Sequence, residues 1–331
     1  MDNTKGVAVV SEKILNITNG DCAVDVFKQA KLLGDYLPWR DILYEGPVPA
    51  VQSLTELSKI RAEYISQQGW GEFSVVHRDF MQRDDVLATH GDYDKVILWF
   101  EHDLTDQLQL MQLLHWFHDN LDATTQLNLI CVDQYLGPLS PEAMLALRSY
   151  ETVVSRAQLE SGKKAWDAFC HNTPEQWCAL LDADTGVLPF FDAAVRRMLE
   201  EFPSCVNGLS RSEQQALEII SQGEQRPGRV FAENLNREEK RFMGDSSFWN
   251  LLRGFLESSP NLLSLPSGKC LSLPTSPDQK LSITETGQVV LKGEMNFLQV
   301  RPIDRWIGGV HLTMDDSWCW DASMQTVKQL K

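Results

Sequence analysis

Residues 96 to 100, VILWF, limit what this chain can become more than any other stretch. Five consecutive apolar residues with β-branched and aromatic character suit a strand buried on both faces. Such strands belong to parallel sheets covered on each side by helices. The flanks agree. DLTDQLQLMQLLHWFHDNL (103–121) keeps Leu104, Leu108, Met111, Leu114 and Phe117 at helical spacing, and QLNLICVDQ (126–134) reads as another buried strand. Upstream, KILNI (13–17) is predicted as a strand, AVDVFKQAKLL (23–33) as a helix and DYLPWRDIL (35–43) as a second strand. SLTELSKIRAEYISQQ (53–68) reads as a helix with Ser53 as its cap and Glu56 three residues on. LSPEAMLALRSY opens another with Ser140 as cap and Pro141 at the first position.

Alternating strands and helices predict a Rossmann-like three-layer α/β domain with a mostly parallel sheet over residues 1–152. Residues 153–206 read as a helical connector, broken near Asn172-Thr173-Pro174 and ended by Pro203. Residues 207–331 read as a small α+β domain. A helix over 209–223 is capped by Ser210, REEKRFMGDSSFWNLLRGFLES (237–258) gives two helices parted at Gly244, and 281–293 gives a hairpin turning at Glu285-Thr286-Gly287. Helices followed by a hairpin are the order of a winged helix. The last stretch, 301–321, reads as two strands around a turn at Asp315-Asp316, with Trp306, Trp318 and Trp320 as core.

A chain of 331 residues suits more than one core. Its formal net charge of −16 removes the cationic footprint that binds a phosphate backbone, which weighs against nucleic acid. No run approaches the ~20 apolar residues of a membrane span. The start, MDNTKGVAVVSEK, does not resemble a secretory signal. Seven scattered cysteines without a CxxC pair predict reduced thiols and a cytoplasmic setting.

In an open parallel sheet, ligands bind beyond the carboxyl ends of the strands. Three stretches fall there. Asn19-Gly20-Asp21-Cys22 separates a strand from a helix. Free backbone N–H groups and the helix dipole suit an anion at that point, and they favour the thiolate of a nucleophilic cysteine. The alternative is turn chemistry, with Asp21 as cap and Cys22 packed. Arg40 and Ile42 face one way on the strand and Asp41 the other; Arg40 either pairs with an Asp or Glu carboxylate or clamps an anionic ligand, and Glu45 stands just beyond the strand. Glu101-His102-Asp103 with Asp106 and Gln107 forms the third stretch. Alternation puts Glu101 and Asp103 on one side and His102 on the other, and His102 is suited to move protons near neutral pH. Asp103 or Thr105 is the candidate cap. Asp21, Asp41, Glu45, Glu101, Asp103, Asp106 and Asp133 outnumber Arg40 and His102 at this edge. Such an excess of oxygen ligands could hold a divalent cation, although no zinc pattern exists.

The pieces ITNGDCA, WRDILYEGPVP and VILWFEHDLTDQL, with GLSRSEQ, FMGDSSFW, RWIGGVHL and WCWD further on, resemble an uncharacterised bacterial family built from two domains of unknown function, numbered 1835 and 3658. The resemblance implies an α/β first domain and a helix-rich second one, and it brings no activity. A serine at the position of Cys22 in similar proteins would weigh against a cysteine nucleophile.

Two functions follow as expectations. The first is a small-molecule site for an anionic ligand, nucleotide-like or phosphate-bearing, serving hydrolysis or group transfer. Its catalytic candidates are Asp21, Cys22, His102 and Asp103, and its binding candidates are Asn19, Gly20, Arg40, Asp41, Glu45, Glu101, Asp106 and Gln107. The second is a binding or regulatory protein whose winged-helix-like part meets a protein partner or a second copy of the chain.

Overall fold

A computed structural model describes residues 12–183, 186–266, 270–276 and 278–330. The first eleven residues of the amino-terminal stretch read above lie outside that set. The chain is mixed α/β. In order it forms β1 (Ile14–Thr18), α1 (Asp21–Gln29), β2 (Asp35–Pro38), β3 (Gly46–Pro47), α2 (Leu54–Gln67), α3 (Phe73–Ala88), β4 (Lys95–Phe100), α4 (Leu104–Asn120), β5 (Gln126–Cys131), α5 (Pro141–Ala146) and β6 (Thr152–Val153). The five-stranded sheet runs β2-β1-β4-β5-β6, parallel except for the edge strand β6. From β1 the chain moves outward to β2, then returns past β1 to β4. The strand order therefore reverses between β1 and β4, which opens a crevice at their carboxyl ends.

Alternation decides the two faces. Ile14, Ile97, Trp99 and Ile130 pack against α1 and α5. Leu15, Ile17, Leu98 and Phe100 pack under α2, α3 and α4. Helix α4 is buried almost all round, because α6 (Arg156–Phe169), α7 (Glu175–Cys178) and α8 (Phe191–Leu199) cover its outer side. The rest comprises α9 (Arg211–Ser221), α10 (Pro227–Arg237), α11 (Asp245–Glu257), β7 (Leu263–Ser264), β8 (Ser282–Ile283), α12 (Glu285–Leu291), β9 (Arg305–Gly308), β10 (Val310–Leu312), β11 (Ser317–Asp321) and β12 (Thr326–Leu330). Residues between Leu209 and Phe297 bury a core of their own. The final strands do not join it. Strand β9 pairs with β3 of the first half, and Ile307, Leu312, Trp318 and Trp320 enter the core beneath the sheet.

The structure corrects several expectations. The second strand ends at Pro38, the Trp39 N–H makes one more bond to the Thr18 carbonyl at 2.7 Å, and Asp41 turns inward to an arginine instead of continuing the ladder. No helix covers 238–244; α10 starts earlier, at Pro227, and ends where the buried Arg197 draws in Glu238. The hairpin expected at 281–293 is instead β8 followed by α12. The Thr284 hydroxyl accepts from the Gly287 N–H at 3.0 Å and so starts a helix. Gly287 serves close packing there, since a Cβ would stand 2.3 Å from the Leu262 carbonyl oxygen. The turn at Asp315-Asp316 is present, but its flanking strands belong to different ladders, β10 with β9 and β11 with β12.

The expectation of reduced thiols also changes, because Cys205 and Cys319 form a disulfide. Backbone bonds set them together: Trp320 N–H donates to the Pro203 carbonyl and Cys205 N–H to the Trp320 carbonyl. Closing 114 residues of sequence removes denatured-state entropy, so Cys205→Ser with Cys319→Ser is expected to lose ~2–4 kcal/mol in urea unfolding. Alkylation of the denatured, unreduced protein should leave those two thiols unlabelled. Among the described residues, no helix is long and apolar enough to cross a membrane.

Candidate functional site

Strand β1 ends at the buried Thr18, and three residues later α1 has begun. Gly20 stands at the cap position in extended conformation, with no side chain bonded to the first-turn N–H groups. Asp21 is the first helical residue rather than the cap. Its carboxylate accepts from Arg40 Nε at 2.7 Å and Nη2 at 2.6 Å, a two-pronged pair that holds the Asp21 carboxyl below its usual range. Both partners are more than half exposed, so the pair stands at a mouth and can open.

Behind that mouth lies a hollow of about 560 Å³ at the carboxyl edge of β1 and β2. Asn19 to Cys22, Pro38 and Arg40 to Ile42 form one side. The opposite wall comes from α2, α3 and the loop between them, with Ile65, Trp70, Val76 and Phe80. Arg83 lies over the rings of Trp39 and Phe80, at 4.0 and 4.4 Å, and is bonded to Asp84 and Ser58. Gln109 of α4 also lines the hollow. It is 1% exposed, its Nε2 donates to the Asp41 carbonyl at 2.8 Å, and its Oε1 has no hydrogen-bond partner. The Asp41 contact fixes the amide's orientation. A buried acceptor beside the hollow therefore lacks a donor, a state that costs free energy until something donates to it.

A buried carboxylate cluster adjoins this wall. Glu101, Asp103 and Asp106 each place an oxygen within 4.8 Å of the other two. Asn19 joins the cluster to the hollow's rim: its Nδ2 donates to Asp106 Oδ2 at 2.6 Å. Asp106 Oδ1 accepts from the Glu101 N–H, Glu101 Oε1 from the Leu136 N–H, and Asp103 Oδ1 from Thr105 and Asp106 as the cap of α4. Gln107 Nε2 donates to the Glu101 carbonyl at 2.6 Å. Burial raises the Glu101 carboxyl to about 7 and that of Asp103 to about 6. Asp106 is raised well above its ordinary value, first by burial and then by its two acidic neighbours. The oxygens are close enough for one proton to be shared or one hard divalent cation to be held.

The remaining candidates lie elsewhere. His102 leaves β4 on the other side, as alternation predicts, and packs against Tyr135 and Phe190. Its Nδ1 is 3.6 Å from Asp133, and burial lowers its pKa. It opens on a separate cavity beside Arg197 and Lys240. Asp133 is tied to Lys240 and Asp41 to Arg61, so neither adds to the acidic cluster. Glu45 faces a third cavity. Sequence reasoning passed over Gln109, Trp70, Phe80 and Arg83. A signal for the first existed: Gln107, Gln109 and Gln112 interrupt an apolar helix that has almost no solvent face, and all three are buried.

No family model matches the chain, and no curated protein matches it.

Proposed function

We propose that this chain binds a small anionic organic molecule, nucleotide-like or phosphate-bearing, in the hollow beyond β1 and β2. The uncapped start of α1 carries the reading, because it faces a cavity whose lining includes Gln109, whose buried Oε1 has no donor. A phosphate at the first turn would meet free N–H groups and could take Arg40 from Asp21. A planar base would lie on Trp70 and Phe80. An exocyclic amine would donate to Gln109 Oε1. The strand-order reversal beside this crevice supports a Rossmann-like assignment of the first domain.

The reading favours binding over acid–base catalysis, since His102 lies outside the hollow. Hydrolysis or group transfer would fall to Cys22, exposed in the first turn of α1. The second reading is a winged-helix-like, partner-binding carboxyl-terminal unit, and the order α9, α10, α11, then β7 paired with β8 supports it. There Arg237, Lys240, Arg241 and Arg253 are bonded to Glu218, Asp133, Asn236 and Asn250. That supports a protein partner over nucleic acid.

A thermal-shift screen of nucleotides and phosphorylated metabolites tests the first reading, because a ligand of the native state raises the melting temperature by mass action. At least one compound should do so, and Arg40→Ala and Gln109→Met should each remove most of the shift. An empty screen, or a shift indifferent to both changes, contradicts it.

A further inference from the structure

A second cavity, of about 410 Å³, lies between the loop after β2 and the carboxyl-terminal helices. Its long wall is α11. Ser247, Asn250, Leu251 and Gly254 line it, and their spacing of three, four and seven residues marks one helix face. Among the described residues, each end of this wall carries an ionisable side chain with no oppositely charged group within 4.0 Å.

At the amino end of α11 stands Glu45. Its Oε1 accepts from the Ser247 hydroxyl, which is also 2.8 Å from the Tyr44 hydroxyl, itself an acceptor for the Gly244 N–H. Burial pushes the Glu45 carboxyl up. Among the described residues, no cationic side chain lies within 4.0 Å of its carboxylate. Arg61 and Arg305 are nearby, but Arg61 is engaged by Asp41, and Arg305 reaches Glu201 and Glu213.

At the other end stands Arg301. No carboxylate lies within ion-pair distance of it among the described residues, and its guanidinium lies 5.4 Å from the Phe297 ring centre. It lies against α11 at Gly254, where a Cβ would be in ordinary contact with both Nη atoms at 3.9 Å. Seven residues of helix separate Ser247 from Gly254, or roughly 10 Å at the α-helical rise. The two unmatched charges are therefore opposite in sign and set apart along a groove floored by Asn250 and Leu251.

We infer that this cavity is a second ligand site, for a slender dipolar molecule bearing an amine at one end and a carboxylate at the other. The ammonium would reach Glu45 and the Ser247 hydroxyl. The carboxylate would take the two-pronged face of Arg301, and the chain between them would lie on Leu251. The site shares none of the polar groups invoked for the hollow beyond β1, so either assignment can fail without the other.

Linear ω-amino acids from aminobutyrate to aminododecanoate serve as rulers, with octanoate and octylamine as controls. Calorimetry on the intact chain should show binding that peaks at an intermediate length, near aminooctanoate, and is stronger than for either control. Glu45→Gln and Arg301→Met should each weaken the best binder by roughly tenfold or more, the scale of a charge-assisted hydrogen bond. Gly254→Leu, which suits a helix and fills the Arg301 end, should block it even if another variant folds poorly. Arg40→Ala should leave it unchanged. The inference falls if no member of the series binds, if affinity grows with length alone, or if binding survives Glu45→Gln and Arg301→Met.

Discussion

Replacing Arg61 with methionine is expected to destabilise the protein by about 3–5 kcal/mol, the cost of breaking a buried ion pair on one side. Arg61 is fully buried in α2. It pairs with Asp41, whose carboxylate is equally enclosed, at 3.0 Å. The Nη2 of that pair also donates to the Ile42 carbonyl at 2.7 Å, and Nη1 donates to those of Glu45 at 2.9 Å and Pro47 at 3.3 Å. Methionine fills the space but leaves the buried Asp41 without its counter-charge and three carbonyls without their guanidinium donor. The loop they hold lines both proposed sites, with Asp41 and Ile42 at one and Glu45 and Gly46 at the other. Gly46 adds a steric demand. Its φ is +78°, and a Cβ would stand 2.5 Å from the Tyr64 ring. Domains are stable by only ~5–15 kcal/mol, so such a loss is a large share. Urea unfolding of Arg61→Met measures it. Arg78→Ala, on an exposed pair, should change stability by less than about 0.5 kcal/mol. A loss under ~1 kcal/mol for Arg61→Met would mean that the loop is held by other contacts.

Arg61 also shows where reading the sequence stops. In SLTELSKIRAEYISQQ the apolar face runs through Leu54, Leu57, Ile60, Tyr64 and Ile65, and Arg61 falls on that face by helical spacing, but nothing local names a partner for it. In the fold, Leu57, Ser58, Arg61 and Ala62 are the buried positions of that helix. What decides this is Asp41, twenty residues away and reached only through tertiary packing. The disulfide failed for the same reason, as its partners are 114 residues apart. Local chemistry was legible. Ser53, Ser140 and Ser210 cap the helices expected of them, because a hydroxyl needs only an N–H two or three residues on. The buried strand VILWF and the parallel sheet were legible too, because apolar periodicity records which faces are covered. The misread hairpin at 281–293 shows the limit of turn residues: Glu-Thr-Gly suits a turn, and it also suits a capped helix start with a glycine at a close crossing.

For the candidate sites, the carboxyl-edge rule brought Asn19 to Cys22 and Arg40 to Ile42 to one hollow, and alternation separated Glu101 and Asp103 from His102. The three strand ends did not converge on one hollow, as the rule alone suggested. The chain between β2 and α2 leaves the sheet at Asp41 and carries Glu45 to a different cavity. Asn19 was legible as a turn residue, but not as the amide joining the rim of the hollow to Asp106. That contact depends on the register of β1 against β4, which places the ends of both strands side by side.

The carboxylate cluster gives the second large effect: stability should fall as pH rises from about 4 to about 7, and Asp106→Asn should remove much of that fall. The sign follows from the direction of the shifts. In the unfolded chain these acids titrate at 3.8 and 4.5, whereas in the fold Asp103 is raised to about 6 and Glu101 to about 7. Across the intervening window the folded protein keeps protons that the unfolded chain has released. Each retained proton then gives a slope of about −1.4 kcal/mol per pH unit. Below that window both states are protonated and the penalty vanishes; above it the penalty is complete. Asp106 is 1% exposed, and burial and both neighbours raise it, so neutralising it relieves all three interactions at once. Its Oδ1 can still accept from the Glu101 N–H as an amide oxygen. The Asn19 amide must turn to meet the new NH₂. Other buried acids, Glu45 and Asp84 among them, are also raised, so the difference between wild type and variant isolates the cluster. Unfolding free energies across this pH range should show Asp106→Asn less stable than or equal to wild type at the acid end, and more stable at about pH 8. Adding Mn²⁺ separates a shared proton from a bound cation. A cation among the three oxygens would flatten the wild-type curve and leave the variant's unchanged, whereas a shared proton leaves both as they were. If wild-type stability instead rises relative to Asp106→Asn through this window, the three carboxyls are ionised in the fold and the account of the cluster is wrong.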